Sequence, residues 1–141
     1  MPAPYKLAGI IGLIAIPLGF GVPAVMRARV DRMRTHAALN EIFHLNQTLL
    51  QSEAGGAVAP DALALAFHEQ ARMLRERATS SAQVRSLDRL EAGVGRWAAL
   101  YERYRAFALQ GSEGQADRVM EEEIAPQIQC ILETSETLFG P

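Results

Sequence analysis

An uncharged run dominates the amino-terminal part of the chain. Residues 7–26 are twenty consecutive residues without a charged side chain. At about 1.5 Å of rise per residue, a helix of this length spans the roughly 30 Å hydrocarbon core of a bilayer. We therefore predict a tail and a single transmembrane anchor over residues 1–26, followed by one domain over residues 27–141.

A cleavable signal peptide is the main competing interpretation of the same run. Lys6 provides a minimal basic region before it, and Val22 and Ala24 place small residues at the two positions that a signal peptidase reads. The anchor interpretation expects the run to remain in the mature protein, whereas the signal interpretation expects its removal.

Small residues recur within the predicted span at helical spacing. They follow one another at steps of four, three and four, namely Ala8, Gly12, Ala15 and Gly19. Such residues share one face of a helix and let a second membrane helix approach closely. This face is a candidate packing site for a membrane partner. The alternative is that Gly and Ala are simply common in membrane helices.

Four arginines follow the predicted span, namely Arg27, Arg29, Arg32 and Arg34. Only Lys6 precedes it, so the positive-inside rule favours a cytoplasmic domain. The arginines would also lie near anionic lipid headgroups, which we consider as partners. An ordinary stop-transfer flank is the simpler interpretation.

After the span, apolar residues recur at three- and four-residue steps in four successive segments. This period is typical of amphipathic helices, which bury their apolar faces against one another when short loops join them. We therefore predict an all-α fold, with one N-terminal transmembrane helix followed by a small antiparallel bundle of three to four helices. The predicted inward positions are Val30, Met33, Ala37, Ala38, Ile42, Leu45 and Leu49; Leu63, Phe67, Ala71, Leu74 and Ala78; Leu87, Leu90, Val94, Trp97, Tyr101, Tyr104 and Ala108; and Val119 or Met120, Ile124, Ile128, Ile131 or Leu132, and Leu138.

Polar residues and glycines predict where the first three helices begin and end. Gly55 and Gly56 should follow the end of the first helix, and Asp61 should cap the second. Ser80 with Gln83 three residues later predicts a capping box at the start of the third helix.

Three further signals concern the last helix. Gly111 suits a left-handed C-cap before it, and Ser112 with Gln115 predicts a second capping box. Pro126 lacks an amide hydrogen and crowds the carbonyl of Glu122, so we expect a bend there.

The net charge of −2 conceals an uneven distribution. Residues 1–105 carry thirteen basic and nine acidic side chains, a net +4, whereas residues 106–141 carry one basic and seven acidic, a net −6. No segment gathers basic and aromatic residues, so we expect no nucleic-acid partner. The acidic run of Glu121, Glu122 and Glu123 is a candidate docking patch for a basic partner. The alternatives are a solvated face or contact with the arginines of the second and third helices.

Few residues suggest catalysis or metal binding. Glu41 and His44 have the Glu-x-x-His spacing of di-metal sites in bundles, but neither His36 nor His68 has a glutamate three residues before it. We find no haem attachment motif, Gly-rich phosphate loop, or paired nucleophile and base. We therefore predict no catalytic, cofactor-binding or metal-binding residue, no small-molecule substrate and no enzyme activity.

Packing explains four other conspicuous residues. The lone Cys130 has no second cysteine for an internal disulfide, and we expect it to be a small core residue on a helix. Trp97, Tyr101 and Tyr104 could stack on a ligand, but their three-four spacing favours the bundle core.

The third and fourth predicted helices carry a pattern with a known counterpart. The residues concerned are Leu87, Asp88, Arg89, Leu90, Glu91, Trp97, Tyr101, the turn at residues 111–115, Glu123 and Pro126. With them, residues 27–139 resemble the extracytoplasmic four-helix-bundle sensor domains of bacterial chemoreceptors and histidine kinases. The resemblance implies a periplasmic ligand-binding domain that signals to a cytoplasmic output module, and it implies no particular ligand-binding residue.

Our leading expectation for function is a non-catalytic, single-pass accessory subunit of a larger bacterial inner-membrane complex, such as a respiratory or photosynthetic one. Its partners would be integral membrane subunits, because the 141 residues contain a predicted span but no active site, second span or output module. The alternative is a membrane-anchored sensor or signalling module of chemoreceptor or histidine-kinase type. Charge favours a cytoplasmic domain and the resemblance a periplasmic one, so sidedness stays open.

Overall fold

The computed structural model describes residues 22–54 and 58–139, and these residues contain helices and no strand. The elements in chain order are α1 (Val22–Glu53), α2 (Pro60–Arg75), α3 (Ser81–Leu109), α4 (Glu113–Val119), a π-helical turn (Met120–Ile124) and α5 (Ala125–Phe139). Because α4, the π-helical turn and α5 follow without a break, the described residues form four long helical segments. The predicted all-helical bundle is confirmed.

Helix α3 lies against α2 on one side and α5 on the other, and both neighbours run in the opposite direction. On the α2 side, Arg75 Nη2 lies 2.6 Å from Asp88 Oδ1, near the end of α2 and the start of α3. On the α5 side, Gln127 Nε2 donates to the carbonyl of Gly93 at 3.0 Å. Close to the end of α5, the hydroxyl of Thr137 lies 3.2 Å from that of Ser86.

The core of the bundle consists of the predicted apolar stripes. Helix α3 contributes the largest buried side chain, Trp97, and packs it among residues of the other helices. Leu100 is also buried, although it lies one residue outside the predicted stripe. The buried predicted positions are Ala38, Ile42, Leu45, Leu49, Leu63, Phe67, Ala71, Leu74, Leu87, Leu90, Val94, Trp97, Tyr101, Val119, Ile124, Ile128 and Ile131.

Helix α1 spans the boundary between two units of the chain, Met1–Arg34 and Thr35–Pro141. In the second unit α1 adds its apolar stripe to the core, and Asn46 is buried with its Oδ1 3.4 Å from Ser135 Oγ on α5. In the first unit residues 24–34 are all exposed, including Met33 at 63%. The predicted inward positions Val30 and Met33 are therefore wrong, because a helical period reports an apolar face but not whether anything covers it.

Three other predicted inward positions also need correction. Ala37 and Ala108 are exposed, and Ala78 is half-buried in the turn after α2 rather than in the helix. Ala37 directly precedes the buried Ala38, so the inward face of α1 passes through the second of these neighbours. Alanine has too little apolar area for its burial to decide how a helix is oriented.

The beginning and end of α3 match their predicted signals. Ser80 Oγ accepts from the Gln83 amide at 3.2 Å, and Gln83 Oε1 accepts from the Thr79 amide at 2.7 Å. At the other end Gly111 has φ +77°, and the amide of Ser112 donates to the Phe107 carbonyl at 2.9 Å. This is a Schellman C-cap, which needs the conformational freedom of glycine.

Of the two other predicted N-caps, Asp61 is wrong and Ser112 is confirmed in position only. The N-cap of α2 is Ala59 rather than Asp61, because Pro60 already occupies the first turn, where its missing amide hydrogen has no consequence. Asp61 lies inside that first turn, where its negative charge still suits the positive end of the helix dipole. Ser112 is the N-cap of α4 by position, but its side chain accepts no capping hydrogen bond.

Pro126 lies just after a change of helical register. The amide of Ala125 donates to the carbonyl of Met120, five residues earlier, which closes the π-helical turn. A π-helical turn inserts one extra residue into the hydrogen-bonding ladder. A π-helical turn thus directly precedes this part of the helix, and the bend at Pro126 stays a prediction.

Among the described residues, no helix has a stretch long and apolar enough to cross a membrane. Most of the predicted span at residues 7–26 lies outside the described residues, which begin at Val22. The predicted small-residue packing face lies outside them as well, with all four of its members, Ala8, Gly12, Ala15 and Gly19.

Candidate ligand site at one end of the bundle

A cavity of about 430 Å³ opens at one end of the bundle, within the unit Thr35–Pro141. All four helical segments contribute to it, together with the turn between α2 and α3. The lining residues are Thr35 and Leu39 of α1; Leu74 of α2; Arg77, Ala78 and Ser80 of the turn; Ala82, Gln83, Ser86 and Leu87 of α3; and Thr137 and Leu138 of α5. This volume is within the range of small-molecule sites.

Small side chains create this space. Ala78, Ser80 and Ala82 lie at this end of the bundle, whereas larger residues fill the core further along α3. The capping bonds between Ser80, Gln83 and Thr79 hold the turn in one conformation. The walls of the cavity are therefore formed by this capped turn and by parts of all four helical segments.

The lining of the cavity contains both apolar and polar side chains. Leu74 and Leu87 are buried in the core, and Leu39 and Leu138 are packed against it as half-buried side chains. The hydroxyl of Thr137 donates to the Thr134 carbonyl at 2.6 Å and lies next to Ser86. The lining therefore combines hydroxyl groups with leucine side chains.

Among the described residues that line the cavity, Arg77 is the single ionisable one. It is half-buried, and its Nη1 donates to the carbonyl of Met73 at 2.9 Å, which holds the guanidinium against the end of α2. No carboxylate is found among the described residues that line the cavity. A planar guanidinium with five N–H donors suits a carboxylate or another oxyanion.

A charged network joins α2 to α3 beside this end of the bundle. Arg75 Nη1 lies 2.7 Å from Glu91 Oε1, while His68 Nδ1 lies 2.8 Å from the other oxygen of the same carboxylate. Burial lowers the pKa of Arg75, but its bonds to Glu91 and Asp88 outweigh this effect and raise the pKa above its ordinary value. This network was not predicted, because its partners are 13 to 23 residues apart in the sequence.

The three acidic residues of the predicted docking patch differ in their exposure and in their partners. Glu121 and Glu122 are exposed, whereas Glu123 is half-buried and forms an ion pair with Arg103 of α3. The alternative in which this run meets an arginine of the third helix is thus confirmed for Glu123. The docking patch of Glu121, Glu122 and Glu123 stays a prediction.

The arginines predicted to contact lipid headgroups lie on the first part of α1. All four are exposed, namely Arg27, Arg29, Arg32 and Arg34. They are outside the unit that contains the cavity. Their interaction with lipid stays a prediction.

The residues considered for metal chemistry are at the surface. Glu41 and His44 are both exposed on α1, and no three His, Cys, Asp or Glu side chains within residues 22–54 and 58–139 are grouped so that they could hold a metal ion. Cys130 is exposed on α5, so its predicted place in the core is wrong. The buried residues Ile128 and Ile131 lie on either side of it in the sequence, which puts Cys130 on the outer face of α5.

The aromatic residues of α3 belong to the core. Trp97 and Tyr101 stack with ring centroids 5.3 Å apart, and Tyr101 lies 5.7 Å from Tyr104. None of the three lines the cavity. The packing interpretation of these residues is confirmed for Trp97 and Tyr101, which are buried, while Tyr104 is half-buried.

Sequence reasoning missed the cavity as a site. Its residues are common types that come from five separate parts of the chain, and only their placement brings them together. One signal was available in the run of small residues at positions 78–82, which follows the apolar stripe of α2 directly. Small side chains at a helix junction fill less volume than a close-packed core requires, so they leave space.

Comparisons of the chain with protein-family models, with curated proteins and with solved structures found no match. The description of this protein therefore rests on its own fold and its own candidate site. In the described residues it is an antiparallel four-helix bundle with an end cavity whose lining carries a single positive charge.

Proposed function

We propose that this chain is a membrane-anchored sensor module in which the four-helix bundle receives a signal and has no catalytic role. The anchor would be the uncharged run at residues 7–26, and the bundle would lie on the outer side of a bacterial inner membrane. The sequence resemblance to extracytoplasmic sensor bundles supports this proposal. The antiparallel arrangement of the described helices is in keeping with it.

The observation that carries the proposal is the position of the cavity. It is lined by Thr35 and Leu39 from the start of α1 in the bundle and by Thr137 and Leu138 from the end of α5. A ligand that contacts both helices favours one relative position of the two over others. Occupation of the cavity would thereby change the relative position of the first and last helices. A non-catalytic bundle can transmit a signal through such a change.

The side of the membrane on which the bundle lies tests this proposal, and the native cysteine provides the labelling site. Cys130 is the one cysteine of the chain and is exposed on α5. We expect a membrane-impermeant maleimide to label the full chain in intact spheroplasts, with no increase after lysis. The variant Cys130→Ser is the control for labelling elsewhere. Labelling that requires lysis would place the bundle in the cytoplasm and overturn the sensor proposal.

An accessory subunit of a larger inner-membrane complex is the second candidate. Exposed apolar side chains favour it, because Phe43 is 53% exposed and Leu50, seven residues later on α1, is 38% exposed. Residues seven apart lie on the same face of a helix. Integral membrane subunits would then contact this face and the predicted packing face at Ala8, Gly12, Ala15 and Gly19.

Native electrophoresis after mild solubilisation tests the second candidate. A subunit of a complex should migrate with its partners, and Phe43→Ser combined with Leu50→Ser should release it. Migration of the native chain as a free 15.4 kDa monomer would exclude the accessory role.

A further inference from the structure

We infer that the outer face of α1 binds a second copy of this chain, with the two α1 helices parallel. The face consists of five exposed residues within the unit Thr35–Pro141, and we call it the outer stripe. Its members are His36, Asn40, Phe43, Gln47 and Leu50. The inference goes beyond the sensor proposal, and it rests on the membrane anchor proposed there.

The outer stripe lies on the side of α1 that faces away from the core. Its members follow one another at steps of four and three residues, which is the spacing of a helix face in a two-stranded coiled coil. Ile42 and Leu49 on the inward face are fully buried, whereas Phe43 is 53% exposed and Leu50 38%. Helix α1 therefore directs one apolar face to the core and presents further apolar side chains to its surroundings.

The charge of the outer stripe favours an identical partner. The stripe contains no Asp, Glu, Lys or Arg, whereas the exposed residues of the other helices include Arg72 of α2, Arg89 of α3 and Glu133 of α5. In a symmetric parallel pair each residue of the seam lies beside its own counterpart, so a charged residue would meet a like charge. An uncharged face avoids this repulsion, and it offers nothing to a partner that is recognised by charge.

The amide side chains of the outer stripe also suit a second copy. Asn40 and Gln47 lie seven residues apart at equivalent positions of the repeat. Each amide carries both donors and an acceptor, so it can hydrogen-bond to the same residue of an identical helix. An apolar partner would leave these groups without hydrogen bonds, which costs free energy on burial. In parallel coiled coils an Asn at such a position fixes the register and the number of strands.

The outer stripe continues a register that begins in the predicted anchor. Alternating steps of three and four residues lead back along the sequence from His36 through Met33, Arg29, Met26, Val22, Gly19, Ala15 and Gly12 to Ala8. The small residues of the predicted packing face thus share one sequence register with Phe43 and Leu50, although they lie outside the described part of the chain. Arg29 is the one charged residue of this register, and it belongs to the flank predicted to contact lipid headgroups.

The anchor would set the orientation of the pair and add contact area. The basic flank orients every copy in the same way, so the α1 helices of two copies in one membrane run parallel. Five residues on one helix face bury less than the roughly 1,200 Å² that a stable interface needs. Small residues in the span let two membrane helices approach closely and supply further contacts. The pair therefore depends on the full chain in a membrane.

Disulfide crosslinking of the full chain in native membranes tests the inference. In a Cys130→Ser background, Phe43→Cys and Leu50→Cys each place a single thiol on the outer stripe. Two versions of the chain with different epitope tags are produced together, so that a product with both tags contains two copies. We expect mild oxidation to give this product at both positions, because each residue of the seam lies beside its counterpart in a parallel pair.

Two exposed positions outside the stripe measure random collisions. Glu41→Cys lies on α1 itself, and Leu65→Cys replaces an apolar residue of α2 that is 61% exposed. Both variants should give several-fold less of the product with both tags than the two stripe variants. Because Phe43 and Leu50 are both exposed, Leu50→Cys keeps the test decisive if Phe43→Cys does not fold.

A charge placed in the seam tests the parallel register. Asn40→Lys sets two positive charges beside each other in the pair and should reduce crosslinking through Leu50→Cys several-fold. Leu65→Lys makes the same charge change at an exposed position of α2 and should leave this crosslinking unchanged. Equal crosslinking in the two lysine variants would overturn the parallel pair.

Two further results would overturn the inference. The first is crosslinking at Phe43→Cys and Leu50→Cys that does not exceed that of the two control positions. The second is a disulfide from the outer stripe to a different protein in place of the second copy, which would support the accessory subunit instead.

The pair and the sensor proposal fail separately. External labelling of the native Cys130, together with crosslinking no greater than in the controls, would refute the pair and leave the sensor proposal in place. Specific crosslinking in a chain whose Cys130 is reached only after lysis would support the pair and refute the extracytoplasmic sensor.

Discussion

Helix α3 packs in two different ways along its length. Past its middle it places Trp97 and Tyr101 in the core, stacked at 5.3 Å, with Tyr104 beside them. At its start it presents Ala82 and Ser86 to a cavity of about 430 Å³. Past its middle α3 is joined to the π-helical turn by Arg103 and Glu123, whereas Ser86 near its start lies beside Thr137 of α5. The two regions therefore differ in side-chain volume and in the segment that lies opposite α3.

The comparison shows which part of the bundle is closely packed and which part contains unfilled space. Protein interiors are close-packed, so unfilled space reduces stability. The aromatic region of α3 is closely packed, whereas the region at the α2–α3 turn contains unfilled space. Binding sites are found in such concave regions, where a ligand completes the contacts that side chains do not make.

The largest expected effect comes from emptying the filled region. Trp97→Ala should reduce the free energy of unfolding by about 3–5 kcal/mol, the range for a large buried aromatic residue. Leu138→Ala, at the half-buried cavity wall, should reduce it by about 1 kcal/mol, because much of that side chain already faces open space. Urea denaturation followed by circular dichroism measures both. Equal losses would show that the two regions are packed equally well.

The next effect concerns the end of α3 that follows the aromatic region. Gly111 has φ +77°, so Gly111→Ala should reduce stability by about 1–2 kcal/mol. Gly114 in α4 is the matched control, since an added Cβ there meets nothing within 4 Å and its backbone is helical. Gly114→Ala should cause no loss in the same denaturation experiment. A loss of similar size in both variants would contradict a special role of the Schellman cap.

Two glycines between the regions test how closely α3 approaches α5. An added Cβ at Gly95 meets nothing within 4 Å, so Gly95→Ala should increase the free energy of unfolding by about 0.5–1 kcal/mol through helix propensity. At Gly93 it would lie 3.3 Å from Gln127 Nε2 and 3.3 Å from Ile131 Cγ1. Gly93→Ala should therefore gain less than Gly95→Ala or lose stability. An equal gain in thermal unfolding would mean that α5 yields freely at this point.

The smallest expected effect is at the charged network beside the cavity end. Arg75→Ala removes bonds to both Asp88 and Glu91 across two helices and should reduce stability by about 0.5 kcal/mol, since the pairs are partly exposed. Arg72 bonds Glu69 and Glu76 within α2 alone, and Arg72→Ala should have a smaller effect. The effect of Arg75→Ala should shrink in 1 M salt. A loss that salt does not change would point to packing by the arginine stem.

Long-range contacts account for most of what sequence reasoning missed. The core positions were predicted well because helical periodicity is a local property, visible within one segment. The Arg75–Asp88 pair and the Gly93–Gln127 contact depend on which residues of separate helices lie opposite each other. The four leucines of the cavity wall were read correctly as apolar positions. Their convergence on an open space could not be read from any one helix.

By itself, the sequence determined the approximate ends of the helices, the inward face of each within the bundle, and the capped turn at Ser80, because period and capping act within a few residues. Only the tertiary structure decided that Val30 and Met33 are exposed, that Cys130 faces outward and that Glu123 bonds Arg103. It also decided that small residues at the α2–α3 turn leave a cavity. The reason is that burial depends on what another segment places opposite a residue, and no local pattern contains that information.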